Sequence, residues 1–397
     1  MKSYFTDTSL FIYGLSVIYF IVFYILLVGI SKNIFKDRKR NFFIIFIIFA
    51  LHYLSVLWDS LLNFMPFFND TSLYVRLIEN ITLARSYVLP VKTFFLMSYL
   101  PKIFVLCQPL LFILFNIFVF LISILIYFKI YEKLTDNKIS RIHENLIWIF
   151  ILCLPSAYLY MSALLREALF LFSFSMFLYG LVLFKDNGKV LLLVVGLCLV
   201  FFIRYQFIIF ILPITIITIF IRYAKKDSVN IFKILFISVL GILIFSLMLT
   251  HFGYKFNPQW LAYLRNSMIL NRQPSVFTYG EVEWETYFDV FKSSFGLGAQ
   301  FLLSPLPILK DFNPTQTFTI FLDSVYILTL LLFIFLDLKN NWIKFKFIYV
   351  FIVTYILIVG LYEFFLPGAA RHRFPIVVLL VFLAGDAINN KFLKNYH

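Results

Sequence analysis

Charge is what this sequence has least of. Only 14% of its 397 residues are Asp, Glu, Lys or Arg, and 62% are hydrophobic, where soluble proteins run near 25% and 45–50%. A soluble fold cannot hide that much apolar surface. The composition therefore excludes a soluble domain, a disordered chain and a secreted disulfide scaffold, and leaves an integral membrane protein. Cysteine is scarce too: Cys107, Cys153 and Cys198 lie in apolar runs without metal-ligand spacing, as small hydrophobes do. The first ten residues lack the basic start and small-residue cleavage site of a signal peptide, so the first span is expected to be retained. No P-loop, GxGxxG, zinc-protease helix or nucleophile elbow is present. There is also no strong internal repeat, and no paired broken helices of the kind that mark many transporters.

What is present is a succession of apolar runs. A helix needs about 20 apolar residues to cross the hydrocarbon layer. Runs fall at Leu10–Ile30, Asn41–Leu57, Ile103–Phe128, Leu146–Tyr160, Leu165–Phe184 and Val190–Ile203. Others fall at Tyr205–Ile221, Ile234–Thr250, Thr315–Leu336, Phe347–Leu366 and Ile376–Ala387. The expected fold is thus all-α: a polytopic integral membrane protein of about 11 transmembrane helices, forming a single domain over residues 1–397.

The net charge of +14 reads as a topology signal. Taking alternate loops, segments 31–40, 129–141, 185–189, 222–233 and 339–346 and the tail from Lys391 carry 20 of the 34 lysines and arginines, and that side holds only eight of the 20 acids. Short basic loops stay cytoplasmic. The N-terminus is expected outside and the C-terminus in the cytoplasm, and no nucleic-acid partner is called for. Two long segments, approximately 58–102 and 251–314, then face outward and mix aromatic, polar and charged residues. Loops of that size in a compact membrane protein usually carry function.

Ionisable groups within apolar spans are costly unless paired, so each is a candidate for function. Arg166 and Glu167 sit where one span ends and the next begins, and Arg204 lies at a turn between two spans. Glu363, Arg371, His372 and Arg373 straddle the last outer turn, while Asp59 and Asp70 open the first long loop. Snorkelling to the interface explains any single arginine. Four segments delivering arginines and carboxylates to one depth point instead to a phosphate or diphosphate site, since guanidinium forks bind such oxygens bidentately. A nearby carboxylate would orient a sugar hydroxyl or act as general base. If their segment is extended, Arg371 and Arg373 point to opposite sides and one of them reaches the site. His52, inside a span, would share a helical face with Asp59, while His143 looks cytoplasmic and uninformative. The acids Glu281, Glu283, Glu285 and Asp289, with Trp284 and Tyr287, read as a lid contacting carbohydrate. That segment has no EF-hand-like spacing, and although a divalent metal is conceivable, no cofactor is expected.

Several of these segments carry a resemblance. They are Pro155-Ser156 followed by Leu165-Arg166-Glu167-Ala168-Leu169, then Ile203-Arg204-Tyr205, the turn Ser304-Pro305-Leu306-Pro307, and Glu363 followed by Arg371-His372-Arg373-Phe374-Pro375. Together they resemble O-antigen and capsule polymerases of the Wzy type, and the wider GT-C class of polyprenyl-phosphate-dependent glycosyltransferases. The resemblance implies a GT-C-like or polymerase-like helical bundle in the bacterial inner membrane, joining undecaprenyl-diphosphate-linked repeat units at its outer face. It implies Asp70 or Asp59 as catalytic base; Glu363, an ionisable group at the last outer turn, is a further catalytic candidate. The resemblance maps the grip on the lipid-linked diphosphate onto Arg166, Arg204 and Arg371 or Arg373; His372 is a further substrate-binding candidate. Partners would be undecaprenyl-linked oligosaccharide and membrane lipid, with a chain-length regulator or flippase as candidate protein partners. The first outer loop lacks the paired acidic motif of many GT-C members, and no soluble outer domain follows the last span, which favours the polymerase side. A GT-C transferase using a polyprenyl-phosphate sugar donor and a lipid-linked oligosaccharide flippase are the alternatives. Crowding of ionisable groups at the outer end disfavours the flippase.

Overall fold

The computed structural model describes residues 9–35, 37–62, 108–135, 139–184, 190–223, 257–271, 278–304 and 314–393. Asp70, Cys107 and the Ile234–Thr250 run lie outside them. The regular secondary structure of the described residues is helical, apart from a single bridge between Thr278 and Phe365. The chain falls into two compact units. Unit 1 comprises residues 1–205, 313–319 and 381–397; unit 2 comprises 206–312 and 320–380.

Unit 1 is organised around α3 (Pro109–Leu134). This helix is apolar all round, as a helix buried on every side must be, and its residues from Leu110 to Phe128 are largely inaccessible. Packed on it are α1 (Leu10–Ser31), α2 (Arg38–Leu62), the short α5 (Pro155–Met161) and α6 (Glu167–Leu183). Helix α1 is different: Val17, Ile18, Ile21, Val22 and Ile25 are exposed along it. An apolar face of that kind suits lipid rather than water.

Helix α4 (Arg141–Leu152) bends by 56° into α5. Pro155 causes the break: it supplies no N–H and disfavours helical backbone in the residue before it. The apolar run at Leu146–Tyr160 is therefore two helices rather than one. Helix α7 (Val190–Tyr223) is interrupted at Arg204, whose φ and ψ are −148° and 76°. Gly180 and Gly196 let α6 and the first part of α7 approach backbone to backbone, against Leu193 and Phe177.

Unit 2 contains α8 (Pro258–Asn271), α9 (Tyr287–Leu303), most of α10 (Pro314–Leu336), α11 (Leu338–Tyr362) and the first part of α12 (Leu366–Ile388). Helix α9 starts on a capping box in which Thr286 and Asp289 exchange hydrogen bonds. It packs on α11, where a Cβ on Gly360 would lie 2.8 Å from the Cα of Gly298.

Among the described residues six helices are long and apolar enough to cross a membrane, or seven if the bent α4–α5 pair is one span. The protein is thus a helical membrane protein. One expectation changes here. Arg371, His372 and Arg373 do not lie on an extended turn but in the first turns of α12, which runs through Pro375.

Candidate functional site

Each unit holds its own cluster of ionisable side chains. In unit 1 the chain between α5 and α6, residues 162–166, is not helical. Irregular backbone among apolar helices needs hydrogen-bond partners supplied by the protein. Asn116, two turns into α3, provides them: its amide donates to Ala163 O at 3.2 Å and to Leu165 O at 3.0 Å. Ser162 in the same segment lies 3.1 Å from Ser55 Oγ and 3.4 Å from His52 Nδ1. The His52 ring stacks on Tyr158 at 4.3 Å, so its partners are Ser162 and Tyr158 rather than Asp59. Asp59 itself is buried near the end of α2.

That irregular segment delivers Arg166 and Glu167 to the start of α6, where a carboxylate suits the positive end of the helix dipole. Glu167 accepts from Arg204 Nη2 at 2.6 Å, and both side chains are buried. The Arg204 guanidinium also lies over the Phe170 ring, 5.1 Å from its centroid. Arg166 remains part-exposed and donates to Ile203 O at 3.4 Å. The structure thus brings Arg166 and Arg204 together, with Arg204 committed to Glu167.

In unit 2 the turn between α11 and α12 gathers the rest. Glu363 is buried, and its Oε1 accepts from the backbone N–H of Phe365 at 3.1 Å. His372, two turns along α12, hydrogen-bonds through Nδ1 to the other carboxylate oxygen. A carboxylate accepts, so Nδ1 carries the proton and Nε2 is the basic nitrogen. The imidazole side chain keeps 18% exposure, lies edge-on to Phe207, and has its backbone carbonyl held by Tyr355 Oη at 2.7 Å. A carboxylate-oriented imidazole is the arrangement that general-base chemistry uses.

Arg373, the next residue along the helix, projects from a different face and is inaccessible to solvent. Its guanidinium donates to Asp323 at 2.8 and 3.2 Å and to the carbonyls of Leu302 and Ser304, each at 2.8 Å. It ties α12 to α10 and to the end of α9. Arg371 stays part-exposed. Of the two arginines flanking His372, one is spent inside the fold.

Reading the sequence alone left out Arg265, Tyr279 and Asp323. Arg265 on α8 is buried and donates through Nη1 to Leu361 O at 3.2 Å and Glu363 O at 2.5 Å. Burial pulls its pKa down to about 10, partly offset by the nearby Glu363 carboxylate, so it is charged at neutral pH. Tyr279 is buried against Ser304, and burial raises its pKa. An arginine inside a predicted loop gave no sign of such burial. The lid acids behave otherwise. Glu281, Glu283 and Glu285 are not fully buried, and Asp289 is occupied as a helix cap, its hydrogen bonds with Thr286 lowering its pKa.

His143 also reads differently in three dimensions. It is buried at the start of α4, with Nδ1 3.2 Å from Tyr131 Oη, which in turn donates to Asp386. Nearby, Arg40 and Asn41 both reach Glu144. Among the described residues no group of His, Cys, Asp and Glu is arranged to hold a metal ion. No protein-family profile, curated protein or solved structure matches this chain. A functional reading therefore rests on its own side chains.

Proposed function

We propose that this chain is a membrane glycosyltransferase of the polysaccharide-polymerase kind. It would join undecaprenyl-diphosphate-linked repeat units at the outer face of the bacterial inner membrane, within an eleven-span topology whose N-terminus is outside. The observation that carries the reading is the Glu363–His372 pair: a buried carboxylate, fixed by a backbone N–H, orients an imidazole that still reaches solvent.

In this proposal His372 Nε2 takes the proton from the attacking sugar hydroxyl, and Glu363 stabilises the imidazolium that results. The hydroxyl oxygen forms the new bond to the anomeric carbon of the donor. The bond from that carbon to the diphosphate breaks, and the leaving oxygen keeps the electron pair on the lipid. The base assigned by resemblance to Asp70 or Asp59 thus moves to the Glu363–His372 pair, where the geometry for proton transfer is on hand. Arg371, part-exposed and one residue before His372 on α12, is the proposed phosphate contact in this unit. Arg204 and Arg373 act through the carboxylates they hold.

The test is surface glycan length in cells carrying His372→Ala or Glu363→Gln at wild-type protein level. Loss of long chains, with single repeat units accumulating outside the membrane, is the expected result. Normal chain length in both variants overturns the proposal. Repeat units trapped on the cytoplasmic side would assign the protein to lipid-linked oligosaccharide export instead.

A further inference from the structure

Arg265 is a buried charged side chain of unit 2 that the proposed reaction leaves unused. It projects from α8 and is 3% exposed. Its Nη1 is held by the carbonyls of Leu361 and Glu363, which fixes the plane of the guanidinium beside the turn that carries the dyad. Its Nε and Nη2 are buried and meet no hydrogen-bond acceptor among the described residues. The Glu363 carboxylate is occupied elsewhere, by His372 and the Phe365 N–H.

The two unsatisfied nitrogens lie on one edge of the planar group. Their N–H bonds run parallel, and that edge is the one that grips two oxygens of a single anion. A buried guanidinium that leaves two donors without acceptors is costly even where a carboxylate nearby offsets part of its charge. A residue serving only to staple α8 to the turn needs Nη1 and nothing more, so stapling leaves the open edge unexplained.

We propose that the Nε/Nη2 edge of Arg265 is a bidentate seat for a phosphoryl oxyanion beside the Glu363–His372 pair. Resting on the reading above, it holds one phosphate of the donor's lipid-linked diphosphate. The seat puts the leaving group within reach of the base that activates the acceptor. It also sets a fixed cation where negative charge develops as the sugar–phosphate bond breaks.

The test uses the full-length protein in lipid nanodiscs, with farnesyl diphosphate, inorganic pyrophosphate and glucuronate as probes. Wild type should bind farnesyl diphosphate, and Arg265→Gln should weaken that binding by about tenfold or more, the loss expected for a bidentate charged contact. Arg265→Lys keeps the charge without the fork and should fall between the two. Without ligand, Arg265→Gln should melt at or above the wild-type temperature, because it removes a buried charge that Glu363 offsets only in part. Equal losses for farnesyl diphosphate and pyrophosphate assign the seat to the phosphoryl group itself. A loss confined to farnesyl diphosphate assigns it to the lipid-linked form.

Unchanged farnesyl diphosphate affinity in Arg265→Gln overturns the inference. So does a lower melting temperature with unchanged affinity, which is the signature of a staple, or a dependence on Arg265 shown by glucuronate alone. The proposed reaction fails separately. If Arg265→Gln loses the ligand while His372→Ala leaves glycan length normal, the seat stands and the glycosyl-transfer reading falls. The reverse pair of results retires the seat and keeps the reaction.

Discussion

Gly368 lies directly beneath the Glu363 carboxylate: a Cβ added to it would stand 2.6 Å from Oε1. The carboxylate can fold over the first turn of α12, reach the Phe365 N–H and meet His372 only because residue 368 has no side chain. The glycine answers a need for space on the part of another residue.

Gly368→Ala should therefore reproduce the Glu363→Gln phenotype without touching an ionisable group. Glycan length should fall to the same extent in the two single variants and no further in the double variant, because both act on one contact. Full activity in Gly368→Ala would mean that Glu363 does not need its observed position.

The Arg373–Asp323 pair should behave as structure. Both side chains are essentially inaccessible, and removing one partner of such a pair typically costs about 3–5 kcal/mol because the other charge is left buried. Asp323→Ala should lower the melting temperature of the purified protein sharply. Asp323→Asn keeps an acceptor and should lower it less. A variant that melts normally but has lost activity would move Arg373 into the binding machinery.

Arg265 carries a pH signature of definite sign. Its pKa in the fold, about 10, lies below the ordinary arginine value because burial disfavours the charged form. The unfolded chain therefore binds more protons between those two values, and stability rises with pH across that window. Below it the penalty is present in full, on the order of 3 kcal/mol. In denaturation experiments Arg265→Gln should exceed wild type in stability at pH 8, and the difference should shrink by pH 11. A difference that widens with pH would contradict the burial argument.

Gly196, like Gly180, marks a backbone-to-backbone approach in unit 1. A Cβ there would collide with the backbone of Phe177 on α6, which has no flexible end to yield. Gly196→Ala should force α6 and α7 apart at a cost of about 1–3 kcal/mol, as overpacked sites show. Thermal unfolding in detergent reads the effect. Gly14→Ala, at a position with open space around it, is the control and should melt like wild type.

The membrane class and most apolar helices were legible from composition and run length, because the hydrocarbon layer imposes one demand on every crossing segment. The break at Pro155 was legible in principle, and a window of hydropathy hid it. The candidate site was legible in part. Glu363, His372, Arg166 and Glu167 stood out as ionisable groups in apolar surroundings, where each such group needs a reason.

The sequence could not say how those groups pair. Arg371 and Arg373 are indistinguishable as letters, yet one is part-exposed and the other is spent on Asp323, a residue 50 positions away. Arg265 looked like an ordinary loop residue until the turn before α12 closed over it. Hydrophobicity is a property each residue brings with it, so the sequence by itself determined that this protein belongs in a membrane. Whether a charge is neutralised, buried or left open depends on what stands within about 4 Å of it, and only the tertiary structure decided that.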